Sequence, residues 1–306
     1  MIEIRTVGIV GAGLMGTGIA EVCALAGFRT IIIRATGGDP TAALDRVTKS
    51  LEGRVAKGKL DAAAAAAALA QLSATTELAR ADECDLVIES IVEDLATKRA
   101  LFASLAPHLK PDAILASNTS TLKVSDLAEG AHDQRTIGLH FFSPVPAMAL
   151  VEVAHLPTTD ADALAAAEAF VGKLGKTAVP VLDSTGFIVN RLLVPMLTGA
   201  IAAYEQGLAP AEHVDTAMRL GCGHPLGPLA LADLIGLDVV YAMAKLLYKE
   251  FGDDRFRPPA LLRRLVQNGH LGKKAGLGLY DYSVKPPRAN TAALIDLGDV
   301  QAAAAA

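Results

Sequence analysis

A short apolar run, Thr6-Val7-Gly8-Ile9-Val10, leads directly into Gly11-Ala12-Gly13-Leu14-Met15-Gly16. The run reads as a buried parallel strand, and residues 14–27 read as a helix closed by Gly27. Strand, glycine turn and helix in that order open a βαβ unit, the context that gives G-x-G-x-x-G its meaning. Gly11 allows the tight turn, Gly13 lets a pyrophosphate approach the backbone, and Gly16 lets the helix lie close to the sheet. With Ala12, Leu14 and Met15 they form a turn whose N–H groups, at a helix start, receive phosphate. The ligand implied is a nicotinamide dinucleotide.

The end of the second strand, Arg29–Ile33, bears on which dinucleotide. An NAD site places Asp or Glu about 20 residues beyond the loop, against the ribose 2′-hydroxyl. Here the chain continues Ile33-Arg34-Ala35-Thr36, and the next acid is Asp39. Arg34 can bind a 2′-phosphate and stack on adenine, with Thr36 adding a hydrogen bond. NADP(H) is therefore expected to be preferred, with NAD(H) as the alternative.

Further apolar runs at Asp85–Glu89, Ala113–Ser117 and Thr136–Phe142 alternate with helical patterns, among them Ala96–Leu105. The span from about Pro40 to Ser73 reads as helical, with an alanine-rich surface helix at Asp61–Leu69. This alternation predicts an α/β domain with a mostly parallel sheet over residues 1–185. The pattern changes near Val179–Gly186. Helices are expected at 187–204, 210–220, 229–251 and 258–268, giving an all-α C-terminal domain over 186–284. Residues 285–306 form a low-complexity, alanine-rich tail.

The chain has 306 residues, 52% of them hydrophobic, and a formal net charge of −5. The length fits two domains, and the charge offers no basic surface for nucleic acid. Three cysteines without paired spacing fit neither a disulfide framework nor a zinc site, so no metal is expected and a reducing compartment is. The N-terminus shows no signal pattern. The longest apolar stretch, Leu192–Tyr204, contains Pro195 and Gly199 and is too short for a bilayer. No membrane association and a cytoplasmic location are the expectation.

Four polar residues stand out at strand ends and at the domain junction, where α/β enzymes build sites. They are Ser120 in Ala116-Ser117-Asn118-Thr119-Ser120-Thr121, His140 at a strand end, Glu152 twelve residues later, and Asn190 in Gly186-Phe187-Ile188-Val189-Asn190-Arg191. The remaining histidines read as structural or surface residues.

Those residues lie in stretches that occur in one order: GAGLMG, CDLVIESIVEDLATK, LASNTSTL, GLHFFSPVP, LVEV, GFIVNRLL, GHPLGPLALADLIGLD and GKKAGLGLYDY. From about residue 5 to 283 the chain resembles the 3-hydroxyacyl-CoA dehydrogenases, most of all the short bacterial 3-hydroxybutyryl-CoA dehydrogenases. The resemblance implies a Rossmann domain, a helical domain forming a homodimer, and reversible oxidation of an (S)-3-hydroxyacyl-CoA to the 3-ketoacyl-CoA. It implies His140 as general base or acid, Glu152 as its partner, and Ser120 and Asn190 as holders of the substrate oxygens. Less directly, it places Glu93, Lys98, Ser120 and Lys274 at the cofactor and Ser50, Lys57 and Ser120 at the CoA substrate. Ser143 stands where the family has Asn, and Thr121 where it has Ser. The interval from Ser120 to His140 is one residue short. The alternatives are a branch acting on a free hydroxy acid (gulonate or carnitine type) or a carrier-protein thioester, and a non-catalytic sensor.

Overall fold

The computed structural model describes residues 2–35, 37–129 and 132–292. Thr36, expected at the cofactor, and most of the alanine-rich tail lie outside the described residues. The chain divides into two compact units, one through Phe187 and one from Ile188 onward.

The first unit follows the alternating pattern: β1 (Thr6–Val10), α1 (Leu14–Leu25), β2 (Arg29–Ile33), α2 (Thr41–Ala56), α3 (Ala62–Ala70), β3 (Leu72–Thr75), β4 (Leu86–Glu89) and α4 (Leu95–Leu105). It continues with β5 (Ile114–Ser117), α5 (Val124–Ala128), β6 (Thr136–Phe141), β7 (Leu150–His155), α6 (Ala161–Lys173) and β8 (Thr177–Leu182). The strands form one sheet in the order β3-β2-β1-β4-β5-β6-β7-β8. Neighbours are parallel throughout except β6 and β7, which are antiparallel. The first six strands have the doubly wound dinucleotide-binding order, with the reversal of winding between β1 and β4. Two apolar clusters cover the sheet. One joins Val7, Ile9 and Ile88 to α1, α2 and α6. The other joins Val10, Ile31 and Val87 to Phe102 and Leu105 of α4.

The helical reading of 40–73 needs one correction. The alanine-rich helix is present as α3, separated from α2 after Ala56 and capped by Asp61 through Ala63 N and Ala64 N. The end of that span is instead the strand β3, held to β2 by register, with every residue only half-buried. A short strand lacking a buried face leaves no period in the sequence.

The second unit contains α7 (Val189–Glu205), α8 (Ala211–Cys222), α9 (Pro228–Ile235), α10 (Leu237–Phe251), α11 (Ala260–Gln267) and a small ribbon of β9 (Tyr280–Asp281) and β10 (Arg288–Ala289). The expected single helix over 229–251 is split at Gly236. That residue has φ +106°, a conformation no continuing helix accommodates. Ribbon residues Arg288 and Ala289 fall inside the stretch read as tail, and Asn290 there is buried. Among the described residues, no helix is long and apolar enough to cross a membrane.

Candidate active site

The glycine turn lies at the C-terminal end of β1. Gly11 N donates to the Ile33 carbonyl at 3.0 Å. A Cβ on Gly11 would lie 2.3 Å from the Ser90 carbonyl oxygen, and one on Gly16 2.0 Å from the Gly11 carbonyl oxygen, so both positions exclude side chains. A Cβ on Gly13, in contrast, would meet nothing within 4 Å. Gly13 is the N-cap of α1 and supplies no capping side chain. An uncapped helix start facing open space is the arrangement that accepts a pyrophosphate, so these residues fit a dinucleotide.

At the end of β2, Arg34 Nη1 donates to the Asp39 carbonyl at 2.9 Å, which folds the guanidinium over the Gly37–Asp39 turn. The Asp39 carboxylate faces away, accepting from Thr41 N at 2.8 Å and Thr41 Oγ1 at 2.6 Å. Those bonds, the hydroxyl one first, hold its pKa below the usual carboxylate value. The acid near the end of β2 is thus held by Thr41, the first residue of α2, and Arg34 stands at the strand end.

Ser120 belongs to the turn after β5. Glu93 Oε1 organises that turn by accepting from Thr119 Oγ1 at 2.7 Å, Ser120 N at 2.8 Å, Ser120 Oγ at 3.2 Å, Thr121 N at 3.0 Å and Thr121 Oγ1 at 3.0 Å. Burial alone would push the Glu93 pKa up. The Lys98 ammonium and the bonds from Thr119 and Ser120 outweigh it and hold the group below its ordinary value. Lys98, expected at the cofactor, is only 1% exposed, with Nζ 2.6 Å from Glu89 Oε1 and 3.2 Å from Glu93 Oε2. Its ammonium is engaged by the two carboxylates, of which Glu93 holds the Ser120 turn.

His140 and Glu152 are register partners in the antiparallel β6–β7 pair. Residues directly opposite on two antiparallel strands project to the same face, so a twelve-residue separation in sequence becomes a contact. His140 Nδ1 lies 2.7 Å from Glu152 Oε2, and the two residues are 5% and 1% exposed. Phe142 and Phe187 pack on the imidazole, with ring centroids 4.3 and 5.8 Å away. A proton on Nδ1, held by the carboxylate, leaves Nε2 as the ring nitrogen able to exchange one. Asn118, at the end of β5, steadies the end of β6 by accepting from Phe141 N at 2.9 Å.

Ser50 and Lys57 lie on and just beyond α2, lining a cleft of about 820 Å³ with Arg46, Lys49 and Lys59. The opposite wall is the connection from β6 to β7, including Ser143 and Val145. Arg46 Nη1 also donates to the Ala12 carbonyl, so a cation of the cleft touches the glycine turn.

The other two expected residues belong to the second unit. Asn190, 8% exposed, lies in the first turn of α7. Lys274 is half-exposed and pairs with Asp238, with Nζ 2.6 and 2.7 Å from its two oxygens.

Glu89, Ser117, Asn118 and Arg46 were not singled out from sequence. The signal for Glu89 was available: an acid that ends the otherwise apolar strand Leu86-Val87-Ile88 must be paired once the strand is buried.

The chain is similar to known proteins over most of its length. The 3-hydroxyacyl-CoA dehydrogenase NAD binding domain matches residues 6–184, and the C-terminal domain of that family matches 186–282. The 3-hydroxybutyryl-CoA dehydrogenase of Mycobacterium tuberculosis is 45% identical over 282 residues, covering 91% of this chain and 99% of the relative. That of Bradyrhizobium diazoefficiens is 40% identical, covering 93% and 97%. The crystal structure of (S)-3-hydroxybutyryl-CoA dehydrogenase from Ralstonia eutropha superposes with a TM-score of 0.89 at 42% identity, covering 92% of this chain and all of that one.

Proposed function

Because the chain belongs to the 3-hydroxyacyl-CoA dehydrogenase family, we propose that it interconverts (S)-3-hydroxyacyl-CoA and 3-ketoacyl-CoA, with 3-hydroxybutyryl-CoA and acetoacetyl-CoA as the pair and NADP(H) preferred over NAD(H). The observation that carries the reading is the buried His140–Glu152 pair at 2.7 Å. The chemistry a bound nicotinamide would supply is hydride exchange with C3.

The chain's residues handle the proton and the positioning. In the oxidative direction His140 Nε2 takes the 3-hydroxyl proton as C3 becomes a carbonyl carbon; in the reductive direction it returns that proton to the forming alkoxide. Glu152 fixes the tautomer with Nδ1 protonated and stabilises the imidazolium that forms. Ser120 and Asn190 hydrogen-bond the substrate oxygens and hold C3 in line. Gly11, Gly13 and Gly16 would form the pyrophosphate cradle, with Glu93 and Lys274 as further cofactor contacts. Ser50 and Lys57, with the neighbouring cations of the cleft, receive the phosphates of CoA. That basic cleft favours a CoA thioester over a free hydroxy acid.

The NADP preference rests on Arg34 at the end of β2, with the Asp39 carboxylate held by Thr41. It favours the reductive direction in cells that keep NADPH more reduced than NADH. A homodimer through the helical unit is part of the same proposal, supported by the apolar side chains that α7 and α8 leave exposed, Leu192 and Leu220. So is a cytoplasmic setting, supported by three free cysteines.

The test is oxidation of NADPH by acetoacetyl-CoA, repeated with NADH and with free acetoacetate. The proposal expects turnover with the thioester, little with the free acid, and a kcat/KM for NADPH at least about tenfold above that for NADH. Arg34→Asp reverses that order. Wild-type preference for NADH contradicts the NADP reading, and equal use of free acetoacetate contradicts the CoA reading.

A further inference from the structure

Glu89 is a fully buried carboxylate that the proton chemistry above does not use. Its two oxygens point to different segments. Oε1 accepts from Lys98 Nζ at 2.6 Å and from Ile91 N at 2.7 Å; Oε2 accepts from Ser117 Oγ at 2.6 Å. Ser117 Oγ in turn accepts from Thr119 N at 3.1 Å, and Thr119 Oγ1 donates to Glu93, which pairs with Lys98. The bonds close into a ring: Glu89, Ser117, Thr119, Glu93, Lys98 and back to Glu89. The ring contains the turn that presents Ser120 and the turn, 90–93, that carries Glu93.

We infer that Glu89 is a positioning residue for the reaction, acting through Ser117 and Lys98 to fix the turn that presents Ser120. An ionised carboxylate only accepts, and each of its three neighbours here donates to it. An amide or a protonated acid at this position turns a donor toward at least one of them. The buried ammonium of Lys98 makes the ionised form tenable, since a buried charge without a partner is costly. Lys98 is on this account part of the same device, clamped between the two carboxylates.

The inference rests on the reading of Ser120 as a substrate contact, and the experiment separates the two. In Glu89→Met/Lys98→Met the buried ion pair is replaced by apolar side chains of similar size, which folded proteins often tolerate. Three readouts are taken: the melting temperature, amide hydrogen exchange in the segment 116–123, and kcat with acetoacetyl-CoA at saturating NADPH. The double variant is expected to melt within about 5 °C of wild type. Its exchange in 116–123 rises at least about tenfold and its kcat falls about 10- to 100-fold.

Adding Ser120→Ala gives the decisive comparison. It costs at least about tenfold in the wild-type background and less than about threefold in the double variant, because the turn has already lost its position. Additive losses, or wild-type exchange in 116–123, overturn the inference. If the double variant fails to fold, Glu89→Gln replaces it under the same readouts. If the wild-type chain turns over no acyl-CoA, the functional proposal falls, and exchange in 116–123 decides the role of Glu89 by itself.

Discussion

The two units bury carboxylates in opposite ways. In the first, the acids of the candidate site face a base: buried Glu152 faces His140, and buried Glu89 and the more exposed Glu93 face Lys98. In the second, two acids are buried with hydrogen-bond donors and no cation. Asp215 accepts from Leu229 N, Ala230 N and the Tyr280 hydroxyl. Asp233 accepts from Leu279 N, Tyr280 N and the Tyr282 hydroxyl. The consequence shows in the proton affinities. Glu93 is held below its ordinary pKa, whereas burial, aided by the Asp215 charge, pushes Asp233 up to about 6 against the pull of its hydrogen bonds. Acids paired with bases keep an ionised, oriented group ready for chemistry. Acids held by N–H groups and phenols tie the 277–282 segment to α9 and give the fold a weak point in pH.

The same swap, carboxylate to amide, sharpens the contrast when made once in each unit. Glu152→Gln removes the group proposed to stabilise the imidazolium, and kcat is expected to fall about 10- to 100-fold at pH 7 while stability changes little. Steady-state rates and a thermal melt check both halves; an unchanged kcat breaks the comparison. Asp233→Asn is expected to keep kcat within about twofold and to act on stability instead. The sign follows from the raised pKa. Between about pH 4 and 6 the folded state of wild type holds a proton that the unfolded state has lost, so stability from this group is greatest at the acid side and declines as pH rises through about 6. Relative to Asp233→Asn, the wild-type melting temperature therefore drops as pH rises across that window. A difference that stays constant with pH contradicts the assignment.

The parts of the site legible in sequence are those whose chemistry depends on local spacing. The glycine turn is one, because strand, turn and helix are contiguous in the chain. Other features depend on what the sheet brings together. The register that seats His140 opposite Glu152 is set by an antiparallel pair with an eight-residue connection, residues 142–149, and only the family resemblance pointed to it. Glu89 escaped notice because Ser117 and Lys98 reach it from β5 and α4, neighbours in space whose sequence gives no period linking them. The break at Gly236 was hidden by apolar spacing that runs unchanged from α9 into α10. β3 was hidden because it is a half-buried edge strand with no face of its own. Lys98 is drawn to the cofactor by the family resemblance alone; its own burial, with Glu89 and Glu93 as partners, depends on the fold.

The account stands on His140 as the group that moves the proton, and the most direct measurement is the His140→Gln variant assayed two ways. The predicted result is a kcat with acetoacetyl-CoA about 10²- to 10⁴-fold below wild type, with the dissociation constant for the reduced cofactor within about threefold. A kcat near that of wild type in a folded, cofactor-binding variant would contradict it.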